Sequence, residues 1–226
     1  MSSESFFVTG TDTGVGKTLV ACALLHAYAA RGKRVVGMKP VAAGAHLEGG
    51  RLVNEDVTAL KRASTVVAPD ELVNPYCFAQ PIAPHIAAAL AGTRIDPARL
   101  KSAFETLSRS AEVVIVEGAG GFRVPLGEDF DTADLAAALA LPVILVVGMR
   151  LGCLNHAVLT AAAIRAAGLP VAGWVANHID ADMAHANENV AALEKRLTAP
   201  LLARLPYRAA WAARAVAPAL RIELLN

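Results

Sequence analysis

Phe6-Phe7-Val8-Thr9-Gly10-Thr11-Asp12-Thr13-Gly14-Val15-Gly16-Lys17-Thr18 starts as a short apolar run, turns through glycines, and ends on a Lys-Thr pair that opens an Ala/Leu-rich stretch. A strand, a glycine-rich turn and a helix in that order make a phosphate-binding corner. Glycines let backbone N–H groups converge on phosphate oxygens, and the helix N-terminus adds a favourable dipole. Lys17 is placed to reach the β- and γ-phosphates and Thr18 to offer its hydroxyl to a metal. The plainer reading is an ordinary strand–turn–helix corner, and the Lys-Thr pair at the helix start argues against it. The common spacing, G-x-x-x-x-G-K-[ST], would put its first glycine at position 11, which is Thr11; Gly10 stands one residue earlier, so the loop is a variant. Partition-type ATPases carry a second lysine four residues before Gly-Lys-Thr. Asp12 occupies that place here, which argues against a dimer-switch ATPase.

Outward from the loop, β-branched runs alternate with helical stretches. Strands are expected at Phe6–Thr9, Val35–Met38, Val113–Val116, Val143–Val147 and Val171–Ala176, and helices at Lys17–Arg31 and from Asp96-Pro97, an N-cap followed by proline at the first helical turn. Gly32 and Gly168 read as helix stops. Residues 44–84 are less regular and are expected to form loops and short helices over the site. This alternation predicts an α/β fold of the P-loop NTPase type: three layers, a mainly parallel sheet flanked by helices, in one domain spanning residues 1–226.

Composition narrows the partners. Of 226 residues, 55% are hydrophobic, 18% charged and 5% aromatic, with a formal net charge of +1 and no basic block, so no nucleic-acid partner is expected. The longest apolar stretch, Leu135–Met149, is split by Pro142 and falls short of the ~20 residues of a spanning helix, so no membrane span is expected. Met1-Ser2-Ser3-Glu4-Ser5 lacks a positive leader region. Three irregularly spaced cysteines (Cys22, Cys77, Cys153) without a CxxC pair fit a reducing cytoplasm better than a disulfide frame or zinc site.

In an open parallel sheet, ligands sit at the carboxyl ends of the strands. Glu117 ends a buried strand and is followed by Gly118-Ala119-Gly120-Gly121, which allows close backbone approach to a ligand. Lys39 ends the strand at 35–38, either as an anion-binding cation or as a solvated surface charge. Asp56 stands near a helix start, where an acid serves either as a ligand or as a partner of the helix dipole. Asn177 has a carboxamide able to pair with an adenine edge, or to form a turn.

The segments VTGTDTGVGKT (8–18), GMKPVAAG (37–44), NPYCFAQPIAPH (74–85), VEGAGG (116–121), PVILVVGMRLGCLNHAVLT (142–160) and AGWVANH (172–178) together resemble the dethiobiotin synthetase family. The phosphate loop is shared by a vast superfamily, VEGAGG and Lys39-Pro40-Val41 narrow it, and LGCLNHA with NPYCFAQPIAPH is specific. The resemblance implies an ATP-dependent cyclo-ligase of biotin biosynthesis that closes 7,8-diaminopelargonic acid and CO2 (bicarbonate) into dethiobiotin, releasing ADP and phosphate through a carbamate and a carbamic–phosphoric anhydride. It implies Lys17 and Lys39 as catalytic cations and Thr18, Asp56 and Glu117 as Mg²⁺ ligands. Nucleotide contacts would come from Thr13, Gly14, Val15, Gly16, Lys17, Thr18, Leu19, Gly118, Ala119, Gly120, Asn177, His178 and the loop Pro206-Tyr207-Arg208.

The substrate would meet Thr13, Lys39, Ala43 and Gly120, with its remote carboxylate at the helix start Gly152-Cys153-Leu154-Asn155. The resemblance implies that this helix start is contributed by the neighbouring subunit of a homodimer. Where relatives commonly carry a substrate-contacting hydroxyl, this chain has Ala43; the N–H of Gly44 or a water is expected to substitute. Two other readings stay open: a regulatory partition-type ATPase, and an amide ligase of the cobyrinic-acid type, whose extra glutaminase domain finds no room in 226 residues.

Overall fold

The computed structural model describes residues 4–208 and 212–225. Met1, Ser2 and Ser3, read above for a leader, lie outside the described residues, as does Asn226.

The Phe6-Phe7-Val8 run is buried on both faces and becomes β1 (Glu4–Gly10), which leads through the loop into α1 (Lys17–Ala30). In chain order there follow β2 (Val35–Met38), β3 (Val41–Ala43), β4 (His46–Glu48), β5 (Arg51–Val53), α2 (Glu55–Ala63), α3 (Asp70–Val73), β6 (Tyr76–Phe78), α4 (Pro84–Leu90) and α5 (Pro97–Ser110). The second half runs β7 (Val113–Glu117), α6 (Thr132–Ala138), β8 (Val143–Met149), α7 (Cys153–Ala166), β9 (Val171–His178), α8 (Ala186–Leu197), β10 (Leu201–Leu205) and α9 (Ala213–Val216), with 3₁₀ turns closing the chain.

Six strands form a parallel sheet in the order β10-β9-β8-β1-β7-β2. Side-chain alternation divides the core. Phe7, Val114 and Val116 face α5 and α6; Phe6, Val8, Val113 and Ile115 face α1 and α2; Leu145, Val147 and Trp174 face α7 and α8. Helices on both faces explain why the strands read as continuous apolar runs. The expected P-loop-type three-layer architecture is present.

The predicted strands all form, and four of them run further than their apolar runs suggest. β1 reaches Gly10, β7 reaches Glu117, β8 reaches Met149 and β9 reaches His178. Each end is held by a neighbour in register, Val8 opposite Glu117, Gly10 opposite Val146 and Gly148 opposite Asn177. Asn177 is therefore a strand residue and not a turn former. The predicted Lys17–Arg31 helix ends at Ala30, with Arg31 as its cap and Gly32 at φ 79°. Residues 44–84 hold α2 and α3 as expected, but also β4, β5, β6 and the start of α4; β4 pairs with β5 as a hairpin, and β6 pairs with β3. Leu135–Met149 divides into the end of α6, a turn at Leu139-Ala140, a link through Pro142, and β8. Among the described residues no helix is long and apolar enough to cross a membrane.

Candidate active site

β1 lies between β7 and β8, and the chain leaves β1 through α1 toward β2 on one side while β8–β10 build out on the other. A crevice opens at such a reversal, outside the carboxyl ends of the strands. A cleft of about 750 Å³ is found there, floored by the loop at 12–18 and by Glu117, Gly120 and Lys39, and walled by Val41, Ala43 and the Pro81–Pro84 segment.

The variant loop spacing has a steric reason. A Cβ on Gly10 would stand 2.5 Å from Val15 Cγ2 and 3.0 Å from the Asp12 carbonyl, so Gly10 belongs to the loop although it precedes position 11. Thr11 instead ties the loop to β8: its N–H donates to the Val146 carbonyl at 3.0 Å, and its hydroxyl accepts from Gly148 N–H at 3.3 Å. Gly16 is left-handed at φ 93°, and a Cβ there would lie 2.3 Å from Asn177 Nδ2. Val15 is buried against Gly148, and its carbonyl accepts from Asn177 Nδ2 at 2.8 Å. One Asn177 donor is thus spent on fixing the loop from below, leaving its carbonyl oxygen and second N–H for other partners.

Four side chains from four elements meet beside the loop. Lys39 Nζ donates to Glu117 Oε1 at 2.6 Å and to Asp56 Oδ2 at 2.9 Å. Thr18 Oγ1 lies 2.8 Å from both Glu117 Oε1 and Asp56 Oδ1. Each is delivered by its backbone. Lys39 follows β2, and its N–H donates to the Val73 carbonyl at 2.8 Å, where the chain leaves the sheet at Pro40. Asp56 sits in the first turn of α2, its N–H bonded to the capping oxygen of Asn54 at 3.0 Å. The dipole reading and the ligand reading of Asp56 thus describe the same place. Glu117 ends β7 at 1% exposure, and Gly118 after it packs so closely on Phe7 that a Cβ would sit 3.0 Å from the ring.

Electrostatics follow from burial and neighbours. Burial opposes the Lys39 ammonium, but the Glu117 and Asp56 carboxylates outweigh it and hold its pKa above 10.5. Burial likewise opposes the Asp56 carboxylate, and Lys39, Thr18 and Lys17 hold it below 3.8. Lys17 fares differently. Burial and then repulsion from Lys39 lower its pKa, and its Nζ is folded back to the Asp12 carbonyl at 3.1 Å.

The oxygens fit a hard divalent cation. The Thr18 hydroxyl has one proton for two carboxylate oxygens at 2.8 Å, so one of those contacts joins two acceptors. Glu117 Oε2 is buried with no hydrogen-bond partner. Converging oxygens short of protons are a donor set for Mg²⁺, which takes one or two carboxylates and completes its shell with phosphate oxygens and water. No cluster of three or more His, Cys, Asp or Glu side chains of metal-binding arrangement occurs among the described residues.

Of the other residues predicted for the site, Thr13, Gly14, Gly16, Ala43, Ala119 and Gly120 line the cleft. Val15, Leu19, Gly118, Asn177 and His178 do not line it. Burial and then Arg204 lower the His178 pKa. Pro206-Tyr207-Arg208 follow β10 on the surface. Gly152, Cys153, Leu154 and Asn155 stand at the start of α7 and do not border this chain's own cleft. Cys153 is buried and its thiol pKa is raised by burial, so it is no thiolate nucleophile. One expectation is corrected: the Gly44 N–H, offered as a substitute for a hydroxyl at Ala43, donates to the Gln80 carbonyl at 3.1 Å and is committed to the fold. Asp12, read in the loop as standing where partition-type ATPases carry a lysine, forms an ion pair at 2.6 Å with Arg150, which no reading of the sequence placed in the site. The strand-end rule that found Glu117 and Lys39 also points to Arg150.

A family described as an AAA domain matches residues 4–214. The chain is 56% identical over 219 residues to the ATP-dependent dethiobiotin synthetase BioD of Aromatoleum aromaticum, covering 97% of each protein. It is 59% identical over 204 residues to the protein of the same name from Nitrosospira multiformis, covering 90% of this chain and 88% of that one. Two solved structures share the fold: a ParA family ATPase from Chlorobium tepidum (TM-score 0.57, 14% identity, 92% of this chain and 86% of that one) and the septum site-determining protein MinD of Pyrococcus horikoshii, complexed with Mg-ADP (0.55, 17%, 91% and 82%).

Proposed function

This chain belongs to the ATP-dependent dethiobiotin synthetase family, and on that basis we propose that its cleft at the ends of β1, β2 and β7 carries out that family's ring closure with Mg²⁺. The enzyme is an ATP-dependent cyclo-ligase acting on small molecules. Its substrates are 7,8-diaminopelargonic acid, CO2 and ATP; its products are dethiobiotin, ADP and phosphate. The observation that supports the site assignment most strongly is the convergence of Lys39, Asp56, Glu117 and Thr18 beside Lys17.

One amine of the substrate captures CO2 and loses a proton to become a carbamate, and the carbamate oxygen attacks the γ-phosphorus, breaking its bond to the β,γ-bridging oxygen so that ADP leaves and a carbamic–phosphoric anhydride forms. The second amine then attacks the carbonyl carbon, phosphate leaves, and a cyclic urea remains. The first transfer brings two anions together, so the protein's task is to place positive charge and align the reactants. Lys17 serves the β- and γ-phosphates once it leaves the Asp12 carbonyl, and Lys39, which also lines the cleft, is assigned to the carbamate. Thr18, Asp56 and Glu117 would hold Mg²⁺, which when bound neutralises phosphate charge. Glycines 14, 16 and 120 keep the floor open to the nucleotide. Asn177, His178 and the 206–208 loop form the nucleobase side.

The remote carboxylate is assigned to the start of α7 of a second subunit. Two features support this homodimer: that helix start does not line its own cleft, and Leu151 just before α7 is exposed together with Val158 and Leu159 on it. The deciding experiment is mass-spectrometric detection of dethiobiotin from diaminopelargonate, bicarbonate and Mg-ATP. ATP turnover indifferent to the diamine would overturn the assignment.

A further inference from the structure

Arg150 stands at the same edge as Lys39 and Glu117, directly after β8, yet the reaction described above gives it no task. Its guanidinium Nη2 donates to Asp12 Oδ2 at 2.6 Å, and its own carbonyl accepts from the Cys153 N–H at 3.0 Å, so its backbone is anchored in the first turn before α7. Asp12 in turn organises the loop. Its Oδ1 accepts from the Thr13 N–H at 2.7 Å, and its carbonyl accepts from Lys17 Nζ. Asp12 is also an anomaly: a carboxylate bordering a cleft whose loop otherwise offers cations and N–H groups to a triphosphate.

We propose that Arg150 is a positioning residue for the nucleotide, neutralising Asp12 and fixing the Asp12–Thr13 turn so that the loop meets the phosphates without a facing negative charge. The proposal rests on the reading of Gly10–Thr18 as the phosphate site. Both partners of the pair are close to half exposed, at 45% and 46%, so solvent and salt screen it. Its effect therefore falls on nucleotide affinity and depends on ionic strength.

The test is a double-mutant cycle on kcat and KM for ATP in the full-length enzyme, with melting temperatures alongside. Arg150→Gln is expected to raise KM for ATP about tenfold with kcat within about threefold of the parent, and the ratio shrinks in about 0.5 M KCl. Adding Asp12→Asn removes the charge that Arg150 offsets while keeping an oxygen for the Thr13 N–H. The double variant should then return to within about threefold of the parent KM. A double variant as weak as Arg150→Gln, or an Arg150→Gln enzyme with unchanged KM, overturns the proposal. Should Arg150→Gln fail to fold, the double variant decides in the same way, since its KM is near the parent or it is not. Lys17→Ala is the control for the underlying reading: unaltered ATP affinity there overturns the phosphate-site assignment itself, whereas loss of affinity there with unchanged KM in Arg150→Gln overturns only the role of Arg150.

Discussion

Lys17 and Lys39 face the same cleft, and burial acts on both, yet their charges stand in opposite relation to the fold. The Lys39 ammonium is hydrogen-bonded by two carboxylates, whereas Lys17 donates to a carbonyl, and the attraction of Glu117, Asp56 and Asp12 does not offset its burial and the repulsion of Lys39. Removing Lys39 leaves the Glu117 charge buried and uncompensated. Lys39→Ala should therefore lose about 100-fold or more in kcat/KM and also lower the melting temperature, because breaking a buried pair is strongly destabilising. Lys17→Ala should lose comparable activity with an unchanged or higher melting temperature, since folding works against that ammonium. Parallel activity and thermal-melt measurements separate the two.

Asp56 makes a pH prediction of definite sign. Its folded-state pKa is depressed below 3.8, so its contribution to stability is complete above the ordinary aspartate range and is lost as pH falls through the folded value. Asp56→Asn should flatten the melting curve's dependence on pH between about 5 and 3. A variant that keeps the parent's acid sensitivity would contradict this pairing.

At the scale of elements, the site depends on where strands and helices stop, and this is also where the sequence was hardest to read. Apolar runs showed where the strands begin, but their carboxyl ends are polar or glycine residues retained by a neighbour's ladder, as with Glu117, Gly148 and Asn177. β10 (Leu-Leu-Ala-Arg-Leu) escaped because five residues with one charge carry little period, and only pairing with β9 makes them a strand. The Glu117 position was legible because a carboxylate closing a buried strand has few bland explanations, whereas Lys39 stayed open between an anion-binding cation and a solvated surface charge until its two carboxylate partners were in place. Asp56 was ambiguous because a first-turn acid is common. The Arg150–Asp12 pair was not visible because its partners are separated by 138 positions and meet only when β8 lies beside β1.

α2 shows how an element end transmits to chemistry. Asn54 Oδ1 accepts from the Asp56 and Val57 N–H groups at 3.0 and 3.3 Å, so one cap sets both the helix start and the position of Asp56, the proposed Mg²⁺ ligand. Asn54→Ala should cost about 1 kcal/mol of stability by chemical denaturation. It should also raise the Mg²⁺ concentration for half-maximal activity, a shift that a cap removed elsewhere would not produce.

For the whole molecule, the proposed division of labour is between two copies. The residues proposed for phosphate and metal line one cleft, while the helix start assigned to the remote carboxylate follows β8 at the same sheet edge without lining that cleft. Leu159, 60% exposed on α7, is then a contact between subunits. Leu159→Glu should yield a monomer by analytical ultracentrifugation and raise KM for the diamine, with little change in ATP binding. A variant that stays dimeric with unchanged KM would remove α7 from the interface. Asp12 also gives a whole-molecule contrast. The ParA and MinD structures share this architecture at TM-scores of 0.57 and 0.55, but the position at which partition-type loops carry their extra lysine here bears a carboxylate engaged within the chain by Arg150.

β1 is bonded on both sides, to β7 and to β8, with the glycine loop hanging from its end. Its amides have no local route to solvent, so their hydrogen exchange should proceed only through global unfolding. The β4–β5 hairpin, paired only with itself and largely exposed, has no such protection. Nucleotide binding should therefore leave the rank order of exchange in β1 unaltered and register first in the segments bordering the cleft. The strand beneath the cleft is a rigid anvil, and whatever moves during turnover must belong to the Lys17 side chain and the walls.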